Sequence, residues 1–231
     1  MFFANFMEFN VIKCIFHEEG KHLLLMNFKS VAPMQPSSNV LFQRIFFCGI
    51  FILLISCNRA SNTSDLPVVR LVTTEGDIDI ELNVKQAPVT AKHFLEQVKL
   101  GKFRDAQFYR VLQSDPGGTY NTGIVQGGVH GTSVEIPSIP HEHTGTTSLT
   151  HTDGTVSMAR TTPGSATGEF FICVGDQTPL DYGRRGTADS LGMAAFGKVI
   201  EGMKTVKKIH NLPARGDRLV KPVQIRKVIV L

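Results

Sequence analysis

A mainly β domain, closed as a barrel with two helical plugs, is the fold class this sequence predicts. Three observations carry the expectation. Ile78, Ile80 and Leu82 alternate with Asp77, Asp79 and Glu81, the period of a half-buried strand. Between Phe103 and Val199, short apolar runs are cut at close intervals by Gly, Pro, Thr and Asp clusters, the pattern of many short strands joined by loops. Only two segments read as helix, and the chain ends on an apolar strand that needs a buried partner.

Each element follows in chain order. The β-branched run Val68 to Thr73 leads through the turn Thr74-Glu75-Gly76 into the alternating segment, which predicts a β-hairpin. Pro88 suits a first helical turn, and Ala91, Phe94, Leu95 and Val98 repeat at i, i+3, i+4, i+7 before Lys99 and Gly101 close the helix. A second helix is expected near Gly202 to His210. Val223, Ile225 and Val228 to Leu231 form the final strand.

Composition narrows the function classes. The 231 residues, 42% hydrophobic and 19% charged, suffice for one globular domain with extra segments. The formal net charge of +4 is spread among mixed Lys, Arg, Asp and Glu with no basic stripe, so nucleic acid is not an expected partner. Cys14, Cys48, Cys57 and Cys173 show no metal or disulfide spacing, and Cys173, inside Phe170 to Val174, reads as a small buried hydrophobe.

The chain divides at its N-terminal side. Ile45 to Ile55 is an unbroken apolar run after Arg44, shorter than the roughly 20 residues a transmembrane helix needs but suited to the core of an export signal. Leu54-Ile55-Ser56-Cys57, overlapping its end, resembles the bacterial lipobox, whose cysteine becomes the lipid-modified first residue. Residues 1–57 are therefore expected to be an N-terminal extension and lipoprotein signal peptide, with Met26 or Met34 as starts that would give a leader of ordinary length. An uncleaved single N-terminal anchor is the alternative. Residues 58–67 read as a polar tether and 68–231 as the working domain, facing the periplasm in the cell envelope.

Four blocks carry chemistry: Phe108-Tyr109-Arg110, Val125-Gln126-Gly127-Gly128, Ser157-Met158-Ala159-Arg160 and Gly168-Glu169-Phe170-Phe171-Ile172, with Ala195-Phe196-Gly197-Lys198-Val199 after them. On position alone Arg110 would be a solvated strand residue. In this order, from about Val69 to Leu231, the blocks resemble the signature of the cyclophilin family. The resemblance implies an eight-stranded antiparallel barrel capped by two α-helices, with a groove on its outer face. It also implies a peptidyl-prolyl cis-trans isomerase acting on proline-containing polypeptides, with no cofactor, and a monomer is expected.

Residue roles follow from the same resemblance. Arg110 and Gln126 match the catalytic pair, a permanent cation to stabilise the prolyl nitrogen and an amide able to orient it. Phe171, Ile124, Met158 and Leu180 match positions lining the proline pocket, and the backbone of Ala159 and Arg160 matches the stretch that pairs with peptide. Glu169 and Met193 stand where many members have glutamine and histidine, Pro179 where many have tryptophan, and Gly123 where a phenylalanine is frequent. These departures predict weak binding of cyclosporin-class inhibitors, a more open pocket, and an ion pair from Glu169 to Arg110. The Ser114 to Thr122 and Tyr182 to Gly192 connections are long, and with Ile139 to Thr144 and Glu169 they resemble a bacterial exported subgroup. His141, Glu142, His143 and His151 do not close a ligand set, so no metal is expected. A peptide-binding module with little catalysis, or a structural envelope lipoprotein, would be the competing classes.

Overall fold

The computed structural model describes residues 65–113 and 122–231. The leader, the Cys57 junction and most of the tether lie outside the described residues, as does the 114–121 connection. Strands β1 (Val68–Thr73) and β2 (Asp77–Leu82) form the expected hairpin, with Val69 opposite Ile80 and Leu71 opposite Ile78. The chain continues through α1 (Pro88–Lys99), β3 (Gln107–Gln113), β4 (Gly123–Gly128), α2 (Thr144–Thr147), β5 (Thr155–Met158), β6 (Phe170–Val174) and β7 (Ala194–Glu201). It ends with α3 (Met203–His210), the two-residue β8 (Ala214–Arg215) and β9 (Arg218–Val230).

The sheet order is β1-β2-β7-β5-β6-β4-β3-β9, and β1 pairs with β9 through Val69↔Val230 and Leu71↔Val228, closing eight antiparallel strands into a barrel. Closure removes the free edges that would otherwise recruit other chains. β8 is only the return arm of a hairpin on β9. The expected fold class therefore stands, with one addition. A third helix, the single turn Thr144–Thr147, went unforeseen because Thr-Gly-Thr-Thr has no apolar period to read.

Alternation sorts the side chains. Phe108, Phe170, Ile172 and Phe196 point into the barrel, where Phe170 lies edge-on to Phe108 at 5.8 Å between ring centroids. Phe94 of α1 is driven into the same cluster, 5.0 Å from Phe196 and 4.9 Å from Phe103. Burying each such ring stabilises the fold by roughly 1.5–3 kcal/mol. α3 lays Val206 and Ile209 across β2, β3, β4 and β6.

The start of α1 is held from a distance. No side chain caps it locally, and Glu142 supplies the acceptor instead, receiving the N–H of Val89 at 3.2 Å and of Thr90 at 2.8 Å. A carboxylate there satisfies orphan donors and meets the positive end of the helix dipole. Glu142 thus ties the loop before α2 to α1.

Candidate active site

The outward-facing residues of β4 and β6 build the floor of a groove. Ile124, Phe171 and Cys173 form a second apolar cluster outside the barrel, with Ala159, Leu180 and Met193 packed against it. The groove has a volume of about 560 Å³. It is apolar at its base and polar along one wall, the composition expected of a ligand site.

The polar wall comes from an irregularity in β3. Phe108 faces Gly127 but Arg110 faces Gln126, so two residues of β3 span one step of β4. Strict alternation would turn Arg110 inward with Phe108. The bulge turns it outward instead, beside Tyr109, at the rim of the groove. Arg110 Nη1 donates to Gln126 Oε1 at 2.9 Å, and Gln126 Nε2 donates to Tyr109 Oη at 2.8 Å. Arg110 Nε donates to Asp217 Oδ2 at 2.6 Å. Among the described residues Nη2 of Arg110 has no partner.

Glu169 does not take the place expected for it. The ion pair with Arg110 is absent: the Tyr109 hydroxyl donates to Glu169 Oε2 at 2.5 Å, and the arginine's carboxylate partner is Asp217. Gly128 explains the position, since its φ of +146° brings the backbone so close that an added Cβ would stand 2.7 Å from Glu169 Oε1. Burial pushes the Glu169 carboxyl above its ordinary value, opposed by the bond from Tyr109 and by the N–H groups of His130 and Val129. Burial first, and then the bond to Glu169, raise the Tyr109 phenol as well, so the proton stays on the tyrosine. Arg218 places its guanidinium carbon 5.0 Å from the centre of the Tyr109 ring, completing the wall.

Nine of the ten domain residues expected at the site line this one groove: Arg110, Gln126, Ile124, Ala159, Arg160, Glu169, Phe171, Leu180 and Met193. Met158 is the correction. It points into the barrel interior, 1% exposed, because alternation on β5 sends it to the face opposite the groove. Arg160 contributes more than backbone. Its side chain is almost wholly buried, donating from Nη2 to the carbonyl of Gly192 at 2.6 Å and pairing with Asp189 at 2.8 Å, which ties down the Tyr182 to Gly192 connection. Gly123 is dictated by the backbone: at φ +154° a Cβ would meet the Leu112 carbonyl oxygen at 1.8 Å.

The histidines of the sequence motif are occupied otherwise. His151 donates from Nδ1 to Asp181 at 2.6 Å, its Nε2 lies 3.0 Å from the Ser157 hydroxyl, and its ring stacks 6.0 Å from Phe171. His143 stacks on Tyr182, and His141 donates to the Leu191 carbonyl at 3.3 Å. Burial raises the Cys173 thiol far from the thiolate range, which leaves it a packing residue. Asp217 and Tyr109 carry site contacts that sequence reasoning assigned to neither. The sole signal for Asp217 was its place in a Gly-containing turn.

A groove floored by Phe171 and edged by arginine on a closed eight-stranded barrel defines a class of protein already represented among solved structures. A cyclophilin type peptidyl-prolyl cis-trans isomerase of Cryptosporidium parvum superposes with a TM-score of 0.59 at 22% identity, covering 72% of this chain and 98% of that one. The same protein crystallised in the presence of the dipeptide Ala-Pro superposes with a TM-score of 0.58 at 23% identity, covering 71% and 98%. In sequence, the chain is 37% identical to a peptidyl-prolyl cis-trans isomerase of Acinetobacter baylyi, over 70% of this chain and 79% of that protein. It is 31% identical to peptidyl-prolyl cis-trans isomerase B of Escherichia coli, over 71% and 96%. Residues 68–230 match the family model described as cyclophilin type peptidyl-prolyl cis-trans isomerase/CLD. The chain belongs to the cyclophilin-type peptidyl-prolyl cis-trans isomerase family.

Proposed function

We propose that this protein is a peptidyl-prolyl cis-trans isomerase that acts on X-Pro bonds of exported polypeptides, with Arg110 as the catalytic cation. The observation that carries the reading is Arg110, steadied by Gln126 at 2.9 Å, standing at the rim of an apolar pocket floored by Phe171, Ile124, Leu180 and Met193. Rotation about the X-Pro amide must cross a barrier of about 18–20 kcal/mol, because conjugation of the nitrogen is lost in the twisted state. The lone pair that then localises on nitrogen is an acceptor. A guanidinium donates to it without transferring a proton and stays charged at any working pH. The pocket grips the proline ring while the preceding residue swings, so binding and catalysis fall to different groups.

The test is a protease-coupled assay with a short X-Pro peptide and the protein spanning residues 58–231. Turnover well above the spontaneous rate, and loss of it in Arg110→Ala, are expected. Peptide binding without rate acceleration would instead make the domain a peptide-binding module. No metal takes part in this scheme, so chelation is expected to leave the rate unchanged, and restoration by a divalent ion after chelation would overturn that.

The export half of the proposal rests on Ile45 to Ile55 and the Leu54-Ile55-Ser56-Cys57 junction. Cys57 becomes the acylated first residue, and residues 58–67 tether a monomeric domain to the membrane on the periplasmic side. Mass spectrometry of the membrane fraction is expected to find a lipid-modified Cys57 at the N-terminus. An unmodified soluble chain, or a membrane-bound chain that keeps the residues before Cys57, would refute it.

A further inference from the structure

The hairpin of β8 and β9 turns through Gly216 and Asp217 beside the groove. Its tip is stitched to β3, since the Val111 N–H donates to the Asp217 carbonyl at 2.9 Å and Arg218 pairs opposite Arg110. This places the Asp217 carboxylate against Arg110 Nε at 2.6 Å, while Gln126 holds Nη1 at 2.9 Å. Two acceptors on two different nitrogens of a rigid planar fork fix both its position and its plane. Among the described residues, what remains is Nη2.

We propose that Asp217 is a positioning residue for Arg110, locking the guanidinium so that its one uncommitted nitrogen is aimed at the substrate. The inference rests on the isomerase reading above. Stability is a poor account of the pair. Its side chains are 30% and 41% exposed, and an ion pair that open contributes little to folding. Geometry is a better one, because an unrestrained arginine carries rotamer entropy that would have to be lost each time it met the twisted amide. Asp217 removes that freedom before the substrate arrives. The arginine bond also holds the Asp217 carboxyl below its usual range, which keeps the lock charged through mildly acidic conditions.

The experiment uses the full-length chain as wild type, Asp217→Ala, Asp217→Asn and Arg110→Ala. Isomerase kinetics are read with an X-Pro peptide, the melting temperature is recorded, and nitrogen-15 NMR follows the Arg110 Nε–H signal. Asp217→Ala is expected to lower kcat about tenfold to a hundredfold, the order that a misplaced catalytic group costs. KM and the melting temperature should stay close to wild type. The Arg110 Nε–H signal, resolved in wild type, should be lost to exchange. Asp217→Asn keeps an oxygen acceptor and should recover most of the rate and the signal. A slow Arg110→Ala beside a fully active Asp217→Ala overturns this inference alone. So does a loss confined to melting temperature or KM. Equal rates for wild type and Arg110→Ala overturn the isomerase reading and this inference together.

Discussion

On the proposed reading, single side chains divide the groove into a part that binds and a part that catalyses. Arg110→Ala removes the donor aimed at the prolyl nitrogen, an expected loss of about 2.7–4 kcal/mol of transition-state stabilisation if it resembles an oxyanion-hole donor. That is roughly a hundredfold to a thousandfold in kcat/KM, while peptide affinity measured by titration should fall far less because the floor is untouched. Glu169→Gln tests the corrected wiring. Its carboxylate serves the Tyr109 hydroxyl and the N–H groups of Val129 and His130, so an amide, with one oxygen instead of two, should leave a buried group unpaired. The expected result is about 1–3 kcal/mol of lost stability with no gain in rate, and a faster enzyme would refute the assignment. Arg110, Gln126 and Phe171 were legible from the sequence because each sits inside a contiguous block. Asp217 was not, being 107 positions from its partner. Met158 was misread for a different reason, since a block match does not say which face of a strand a residue occupies.

Elements were legible wherever a period was present. Strict alternation fixed β2, and the i, i+3, i+4, i+7 spacing fixed α1, but no period announces a bulge, and the β3 irregularity is what brings Arg110 outward. Long-range anchors were hidden likewise. Glu142 is an N-terminal acceptor for α1, and Glu142→Ala is expected to cost about 0.5–2 kcal/mol, read as a lower denaturation midpoint. Arg160 fastens the Tyr182 to Gly192 connection, whose two flanks carry Leu180 and Met193 into the groove. Arg160→Ala leaves the Gly192 carbonyl and Asp189 without their partner and frees one wall of the pocket. KM for an X-Pro peptide should rise about tenfold, the cost of one charged hydrogen bond, with kcat nearly kept. A fall in kcat with unchanged KM would show that the loop serves chemistry instead of shape.

At the scale of the whole molecule, acid is expected to loosen the groove by way of a residue that lies behind its floor. His151 is fully buried, and burial holds its imidazole below the ordinary value of 6.5 against the opposing pull of Asp181. It is therefore neutral at pH 7, donating its Nδ1–H in a hydrogen bond to Asp181 and accepting from the Ser157 hydroxyl at Nε2. The folded state binds fewer protons here than the unfolded chain does. The stability it contributes is complete above pH 6.5 and is lost as pH falls through the lowered folded value. His141 shifts in the same direction, chiefly through burial. Glu169 has the opposite sign, because its raised carboxyl contributes stability below its ordinary value of 4.5 and loses it as pH rises through the folded value. From pH 7.5 towards about 5.5 the two histidines set the direction, since that is where unperturbed imidazoles take up protons. Urea denaturation across this range should give a midpoint that falls with pH, and His151→Gln should flatten the slope while lowering the midpoint at pH 7.5. Because the His151 ring stacks on Phe171, and Ser157 pairs opposite Phe171 across β5 and β6, affinity for an X-Pro peptide should weaken over the same range. A denaturation midpoint that is flat from pH 7.5 to 5.5 would refute the assignment of His151 as the buried, neutral support of the groove floor.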